Sequence, residues 1–276
     1  MNLAPSLERA NSLQAPRVRR FGAFNWRGVR SLYRREQLRF LRHAGQSIAG
    51  PAMSSLMFLA VFQVALGGGA DPIPGVTLAQ FMAPGIVMFS LTHSAFEGAA
   101  VPIFHDKIEG MIGDILGAPM TAAEVIGAFT VSAASNALIT GSVILVLMAL
   151  FVDLPVHNVL AIAGFALAAA LLFALAGVIV GICAERWDHF SAAETFLVFP
   201  VALLSGAFFP VANLPAEVQW LFRANPVFHA LEGFRYGFTG QSHESPAVAA
   251  AFLLPMIAVL GLVAWRLFDR GYKLKP

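Results

Sequence analysis

"VHNVLAIAGFALAAALLFALAGVIVGIC", residues 156–183, runs without a single aspartate, glutamate, lysine or arginine. A bilayer core needs roughly 20 consecutive apolar residues per spanning helix, a length that soluble core helices rarely reach. The stretch therefore reads as a membrane-spanning helix and sets how the rest of the chain is parsed. Of the 276 residues, 58% are hydrophobic and 12% charged, about half the charge of an average soluble domain.

Working outward, apolar segments fall at about 46–66, 80–101, 122–151, 156–183, 191–210 and 247–268. The expected fold is an all-α integral membrane protein of six transmembrane helices, with the third and fourth long enough to tilt or overhang the bilayer. An even number of spans leaves both termini on one side. Arginines crowd the region before the first span, from Arg9 to Arg42, while Arg266, Arg270, Lys273 and Lys275 close or follow the last. With Lys107 and Arg186 in loops on that same side, only Arg223 and Arg235 of the 18 basic residues lie opposite. The positive-inside rule then puts both termini in the cytoplasm of a bacterial-type inner membrane.

Residues 1–24 are expected as a flexible basic segment, 25–45 as an amphipathic interfacial helix, 46–268 as the transmembrane domain and 269–276 as a cytoplasmic tail. The first 20 residues are too polar for the apolar core of a cleavable signal peptide. From Trp26 to Arg42, the side chains of Trp26, Val29, Leu32, Tyr33 and Phe40 share one arc of a helix, with arginines on the remainder. That pattern suits membrane lipid as a partner, with Trp and Tyr at headgroup level, and argues against nucleic acid.

Several chemistries drop out. Cys183 is the sole cysteine, and no Cys/His group has metal-ligand spacing. The lysines, Lys107, Lys273 and Lys275, do not follow a glycine-rich turn, so the chain has no P-loop with which to cradle ATP phosphates. Neither a Gly-x-Ser-x-Gly elbow nor a His-Glu-x-x-His pair is present. The chain is read as no enzyme, with no catalytic, cofactor-binding or metal-binding residues of its own.

Polar residues within the apolar runs are His93, Glu97, Asn136 and Glu194. Ionisable groups deep in a membrane mark proton or ion pathways, which keeps an ion-coupled secondary transporter or channel as the alternative reading. Glu97 and Glu194 lie near the cytoplasmic ends of their expected spans, however, where carboxylates also pack at the interface. His93 and Glu97 are four apart and share a helix face. No internal repeat of the kind many secondary transporters carry is evident.

Between the second and third spans stands "FHDKIEGMIGDILGAPMTAAE", residues 104–124. Ile108, Met111, Ile112, Ile115 and Leu116 follow an amphipathic spacing, while Asp106, Glu109 and Gly113 look the other way. A helix is expected over about 104–118, ended by Gly117 and Pro119, and Thr121 with Glu124 makes a capping box for the next span. Asp106, Glu109 and Asp114 against Lys107 leave the segment net negative. That is unfavourable on an anionic leaflet, so a protein partner is expected rather than lipid alone.

Beyond the fifth span, Asn225 followed by Pro226 is a helix start, since proline lacks an amide that would be orphaned there. Two short extracytoplasmic helices are expected within about 215–238, and Glu232 and Arg235, three apart, can pair on the second. On an open surface that pair is worth less than ~1 kcal/mol; in drier surroundings it can act as a gate latch.

The run "FMAPGIVMFSLTHSAFEGAAVPIFHDKIEGMIGDILGAPMTAAEVIGA" and the block "LLSGAFFPVANLPAEVQWLFRANPVFHALEGFRYGFTG" together resemble the ABC-2 type transporter permeases. The order of Pro84-Gly85, Ala118-Pro119, Ser205-Gly206, Phe209-Pro210, Leu214-Pro215 and Asn225-Pro226 carries the resemblance across nearly the whole chain. It implies a six-span subunit paired with a second permease copy, as a homodimer or heterodimer. It further implies a separate cytoplasmic ABC ATPase subunit, on which Mg-ATP binds, and export by alternating access. The segment around Phe104, Asp106, Lys107, Ile108, Glu109, Met111, Ile112, Ile115 and Leu116 is similar to the coupling helix that docks on that ATPase. By the same resemblance Phe58 and Phe62 on the first span, with Phe196, Phe199, Phe208 and Phe209 on the fifth, are candidate pathway residues, and Glu232 with Arg235 a candidate gate. An amphiphilic, lipid-linked or saccharide-type substrate is expected.

Overall fold

The computed structural model describes residues 24–66, 75–242 and 244–274. The expected basic segment before Phe24 and the end of the tail after Leu274 lie outside the described residues. Among those residues the chain is all-helical, with no strand. Five helices are long and apolar enough to cross a membrane: Gly45–Ala65, Leu78–Ile108, Ala122–Ala149, Val159–Cys183 and Pro246–Asp269.

Helix α1, Trp26–Arg42, starts at Asn25, whose side chain accepts from the Gly28 amide, and leads through a π turn, Gly45–Ala49, into α2, Gly50–Leu66. Helix α3, Leu78–Ile108, opens with a capping box of Thr77 and Gln80. A short helix α4, Ile112–Gly117, precedes α5, Ala122–Ala149, which opens with the expected box of Thr121 and Glu124. Helix α6, Val159–Cys183, is capped by Asn158.

The expected fifth span, 191–210, takes a different form. Helix α7, Trp187–Ala193, runs into a second π turn, Glu194–Val198, and then α8, Phe199–Leu203. The chain leaves helical geometry at Ser205-Gly206, where Gly206 holds φ 74°, a value that glycine alone adopts without strain. The helical stretch thus begins earlier and stops earlier than its hydrophobicity implied. Helices α9, Ala216–Arg223, α10, Pro226–Thr239, and α11, Pro246–Asp269, complete the chain.

Helices α3 and α6 form the centre of the bundle. They approach through small residues: a Cβ on Gly177 would collide with the carbonyl of Phe96, and one on Gly181 would stand 2.8 Å from that of Ala100. Small residues four apart let two backbones close up where lipid gives no hydrophobic drive to pack. Phe81, Met82, Met88, Phe96 and Phe104 of α3 are wholly or almost wholly buried in the resulting core. Helix α10 lies on the first half of α6 in the same way, with Gly233 against the Phe165 ring and Gly237 against Ile162.

Candidate functional site

The Ile108 end of α3 is tied down from both sides. Asp106 is 0% exposed; one carboxylate oxygen receives Arg35 and the other receives Arg39 at 3.0 Å. Both arginines also reach Glu36, itself buried, at 2.8 and 3.3 Å. Burial pushes the Glu36 carboxyl up from its ordinary range, against the opposing pull of Arg39 and Arg35. Helix α1 is locked to the bundle by further bonds: Gln37 donates to the Ser132 hydroxyl at 3.0 Å, and the Asn25 amide to Glu124. It is therefore docked protein structure as well as an amphipathic surface helix, with Trp26, Leu38 and Leu41 left exposed.

Here the expected helix and the exposure of its residues are corrected. The helix anticipated over 104–118 is two elements, because Gly110 at φ 76° breaks it between Ile108 and Ile112. Phe104 and Asp106 are interior: Phe104 packs edge-on against Trp187 at 4.9 Å and beside Phe190. Lys107 Nζ donates to the carbonyls of Ile182 at 2.5 Å and Ala184 at 2.8 Å. It satisfies the orphan C-terminal carbonyls of α6. Ile112 and Ile115 are buried in the bundle, while Ile108, Met111 and Leu116 are exposed. Glu109, paired with His105 at 3.1 Å, is also at the surface.

Beside this junction a cavity of about 670 Å³ opens between α1, the first π turn, α3 and α5. His93 lies at its wall, with Nε2 2.7 Å from Glu194 and Nδ1 3.5 Å from Glu97. The three expected intramembrane ionisable groups thus come together, and Asn136 faces the same cavity from α5. One ligand atom from each of His93, Glu97 and Glu194 lies within 4.8 Å of the others. Glu194 begins the second π turn, and Gln46 and Ser47 from the first line the cavity. Such turns recur at functional sites.

The family profile described as ABC-2 type transporter matches residues 27–239. The chain belongs to this family. Among relatives, the inner membrane transport permease YadH of Escherichia coli (strain K12) is 28% identical over 250 residues, covering 91% of this chain and 98% of YadH. Nodulation protein J of Rhizobium leguminosarum bv. viciae is 27% identical over 259 residues, covering 90% and 95%. That of Rhizobium meliloti (strain 1021) is 28% identical over 222 residues, covering 77% and 80%.

Other sites expected in this ABC-2 subunit are partly rearranged. Phe62 on α2 stacks 5.8 Å from Phe208 and 6.4 Å from Phe58, so the two phenylalanine rows meet within one chain. Phe196 and Phe58 point outward, Phe199 sits 5.3 Å from His93, and Phe209 meets Phe222 edge-on. Glu232 and Arg235 do pair, at 2.8 Å, but each is 3% exposed and neither is a surface group. Arg235 also donates to the Gly206 carbonyl at 3.1 Å and lies 3.9 Å over the Phe81 ring. Arg35, Glu36 and Arg39 belong to the site too; the arginines blend into a helix rich in basic residues, and only the lone acid Glu36 among them signals a partner.

Proposed function

We propose that this chain is the membrane-spanning subunit of an ABC exporter in a bacterial inner membrane, working with a second permease copy and a separate cytoplasmic ATPase. Membership of the ABC-2 family carries the reading; the exposed, broken helix after α3 supports it. On this reading residues 187–210 supply a sixth, broken crossing, and both termini are cytoplasmic. The ATPase meets Ile108, Glu109, Met111 and Leu116, which are among the exposed residues of the junction. Mg-ATP binds that partner, and no cofactor is held by this chain.

The buried ion network gives the docking surface a route inward. A push on the Glu109–Leu116 segment acts on the end of α3, which Asp106 ties to α1 and Lys107 ties to α6. Alternating access then amounts to helices α1, α3 and α6 shifting together around the cavity. The substrate class proposed is an amphiphile, because the cavity combines polar groups with Phe40, Pro51 and Val101. A second reading, an ion-coupled carrier independent of any ATPase, draws on the His93–Glu97–Glu194 cluster.

Coexpression and copurification with an ABC ATPase from the same genome test the first reading. Charge reversal at Glu109 combined with Met111→Ala is expected to abolish association while the permease stays folded. Retention of the ATPase by that variant moves the docking contact off this face, whereas transport that persists without any ATPase overturns the reading in favour of the carrier.

A further inference from the structure

The cavity beside α3 carries acceptors that the protein does not fill. Asn136 is 5% exposed, lines the cavity, and its Oδ1 has no hydrogen-bond partner. A buried carbonyl in that state has lost its water without gaining a donor, a loss that a ligand donor recovers. Helices α3 and α5 pack antiparallel, with Gly98 against Ala133 and Leu91 beside Gly141. Asn136, one turn from Ala133, is therefore level with the turn of α3 that carries His93 and Glu97.

Glu97 is the second acceptor. Its side chain is 45% exposed, and its contact with His93 is 3.5 Å, longer than a hydrogen bond. The shorter bond of His93 goes to Glu194 at 2.7 Å, so Glu97 keeps lone pairs free for the cavity. Arg39, the one lysine or arginine on the cavity wall among the described residues, is committed to Glu36 and Asp106. Among the described residues, no arginine or lysine on that wall meets Glu97. Phe40, Pro51 and Val101 supply an apolar side.

We infer that this cavity binds the head of a primary-ammonium amphiphile, with the Glu97 carboxylate and the Asn136 carbonyl accepting its N–H donors. The inference rests on the transport reading for its biological setting, and its geometry stands without it. An anionic head meets Glu97 unpaired, and a quaternary ammonium brings charge but no N–H for Asn136. A carboxylate with one amide acceptor thus selects both the sign of the head and its donors.

Calorimetric titration of the full chain in neutral lipid nanodiscs tests this with hexylammonium, hexyltrimethylammonium and hexyl phosphate as probes. Hexylammonium is expected to bind about tenfold more tightly than hexyltrimethylammonium, the discrimination of one charge-assisted hydrogen bond, and hexyl phosphate not at all. Glu97→Gln and Asn136→Leu should each weaken hexylammonium about tenfold, whereas Glu217→Gln on α9 leaves it unchanged. Asn136→Leu should unfold no earlier than the parent, since it removes an orphan acceptor, and Asn136→Asp should bind hexylammonium more tightly. Equal affinity for the three heads, wild-type binding by both variants, or Zn²⁺ binding at Glu97 with no hexylammonium binding overturns the inference. Because binding is read without an ATPase, failure of the ATPase partnership is a separate result.

Discussion

Asp106 of α3 and Arg39 of α1, 67 residues apart in sequence, meet at 3.0 Å, with Arg35 on the other carboxylate oxygen. This contact makes the helix that precedes the first span part of the bundle. Asp106→Ala leaves the two guanidiniums with Glu36 alone as their shared carboxylate. The arginine side chains are 37% and 32% exposed, so the cost should fall to about 1–3 kcal/mol, below the 3–5 of a fully buried pair. Thermal unfolding in detergent reads this; a midpoint equal to the parent's would show that the network contributes nothing.

The short helix after Gly110 separates fold from docking. Ile112→Ala and Ile115→Ala should each destabilise by about 2–4 kcal/mol, as buried large-to-small changes do. Met111→Ala and Leu116→Ala should stay within about 0.5 kcal/mol and instead lower the ATPase stimulation produced by the permease. Unaltered stimulation in the second pair, with folding intact, removes this face from the proposed interface.

Arg235 sits over Phe81 and binds both Glu232 and Gly206. Arg235→Met removes the guanidinium that pairs with Glu232, bonds the Gly206 carbonyl and covers Phe81, and should cost about 3–5 kcal/mol. Adding Glu232→Gln should restore part of that, because the carboxylate that lost its guanidinium goes with it. A double variant less stable than the single one would contradict this account.

Gly177 admits no side chain against the Phe96 carbonyl. Gly177→Val should destabilise by about 1–3 kcal/mol or more through overpacking. Gly164→Ala, where a Cβ meets nothing within 4 Å, should be neutral or slightly stabilising. Comparable losses at both positions would deny the close approach of α3 and α6 its role.

The tail is tethered by Lys273 to Glu185 at 2.8 Å. The hydrogen bond from Lys273 holds the Glu185 carboxyl below its usual range, and the same bond raises Lys273. A depressed acid stabilises above its ordinary pKa and loses that as pH falls through the folded value; a raised lysine stabilises below its ordinary pKa and loses that as pH rises through its folded value. The tether should therefore hold from roughly pH 4 to pH 10. A spin label at Tyr272→Cys in a Cys183→Ser background should be immobilised within that window and freer on either side. Identical mobility at pH 7 after Glu185→Gln would discard the tether.

Apolar runs made the long helices legible, and local capping signals such as Thr121 with Glu124 and Asn225 with Pro226 placed helix starts well. Side-chain fates that depend on distant partners were not legible. Periodicity put Asp106 on an outward face, but the chain supplies Arg35 and Arg39 to cover it. Lys107 appeared as loop charge, and it is the carbonyls of Ile182 and Ala184 that turn it inward. Hydropathy cannot see a break such as the one after Leu203, since Ser205, Gly206 and Pro210 disrupt backbone geometry without lowering the apolar average much. His93 with Glu97 was readable from spacing on one helix; Glu194, 101 residues away, was not.

Helix α3 spans 31 residues without a gap, from Leu78 to Ile108, a rise of about 46 Å against a hydrocarbon core of about 30 Å. Near one end Phe81 lies beneath Arg235, and near the other Asp106 lies beneath Arg35 and Arg39. One helix, with Pro84 and Pro102 inside it, therefore has a cation over a ring near one tip and an ion pair near the other. On the proposed topology those tips face opposite compartments, so one helix links the inner contact to the outer one, and Pro84 and Pro102 are where it can bend between them.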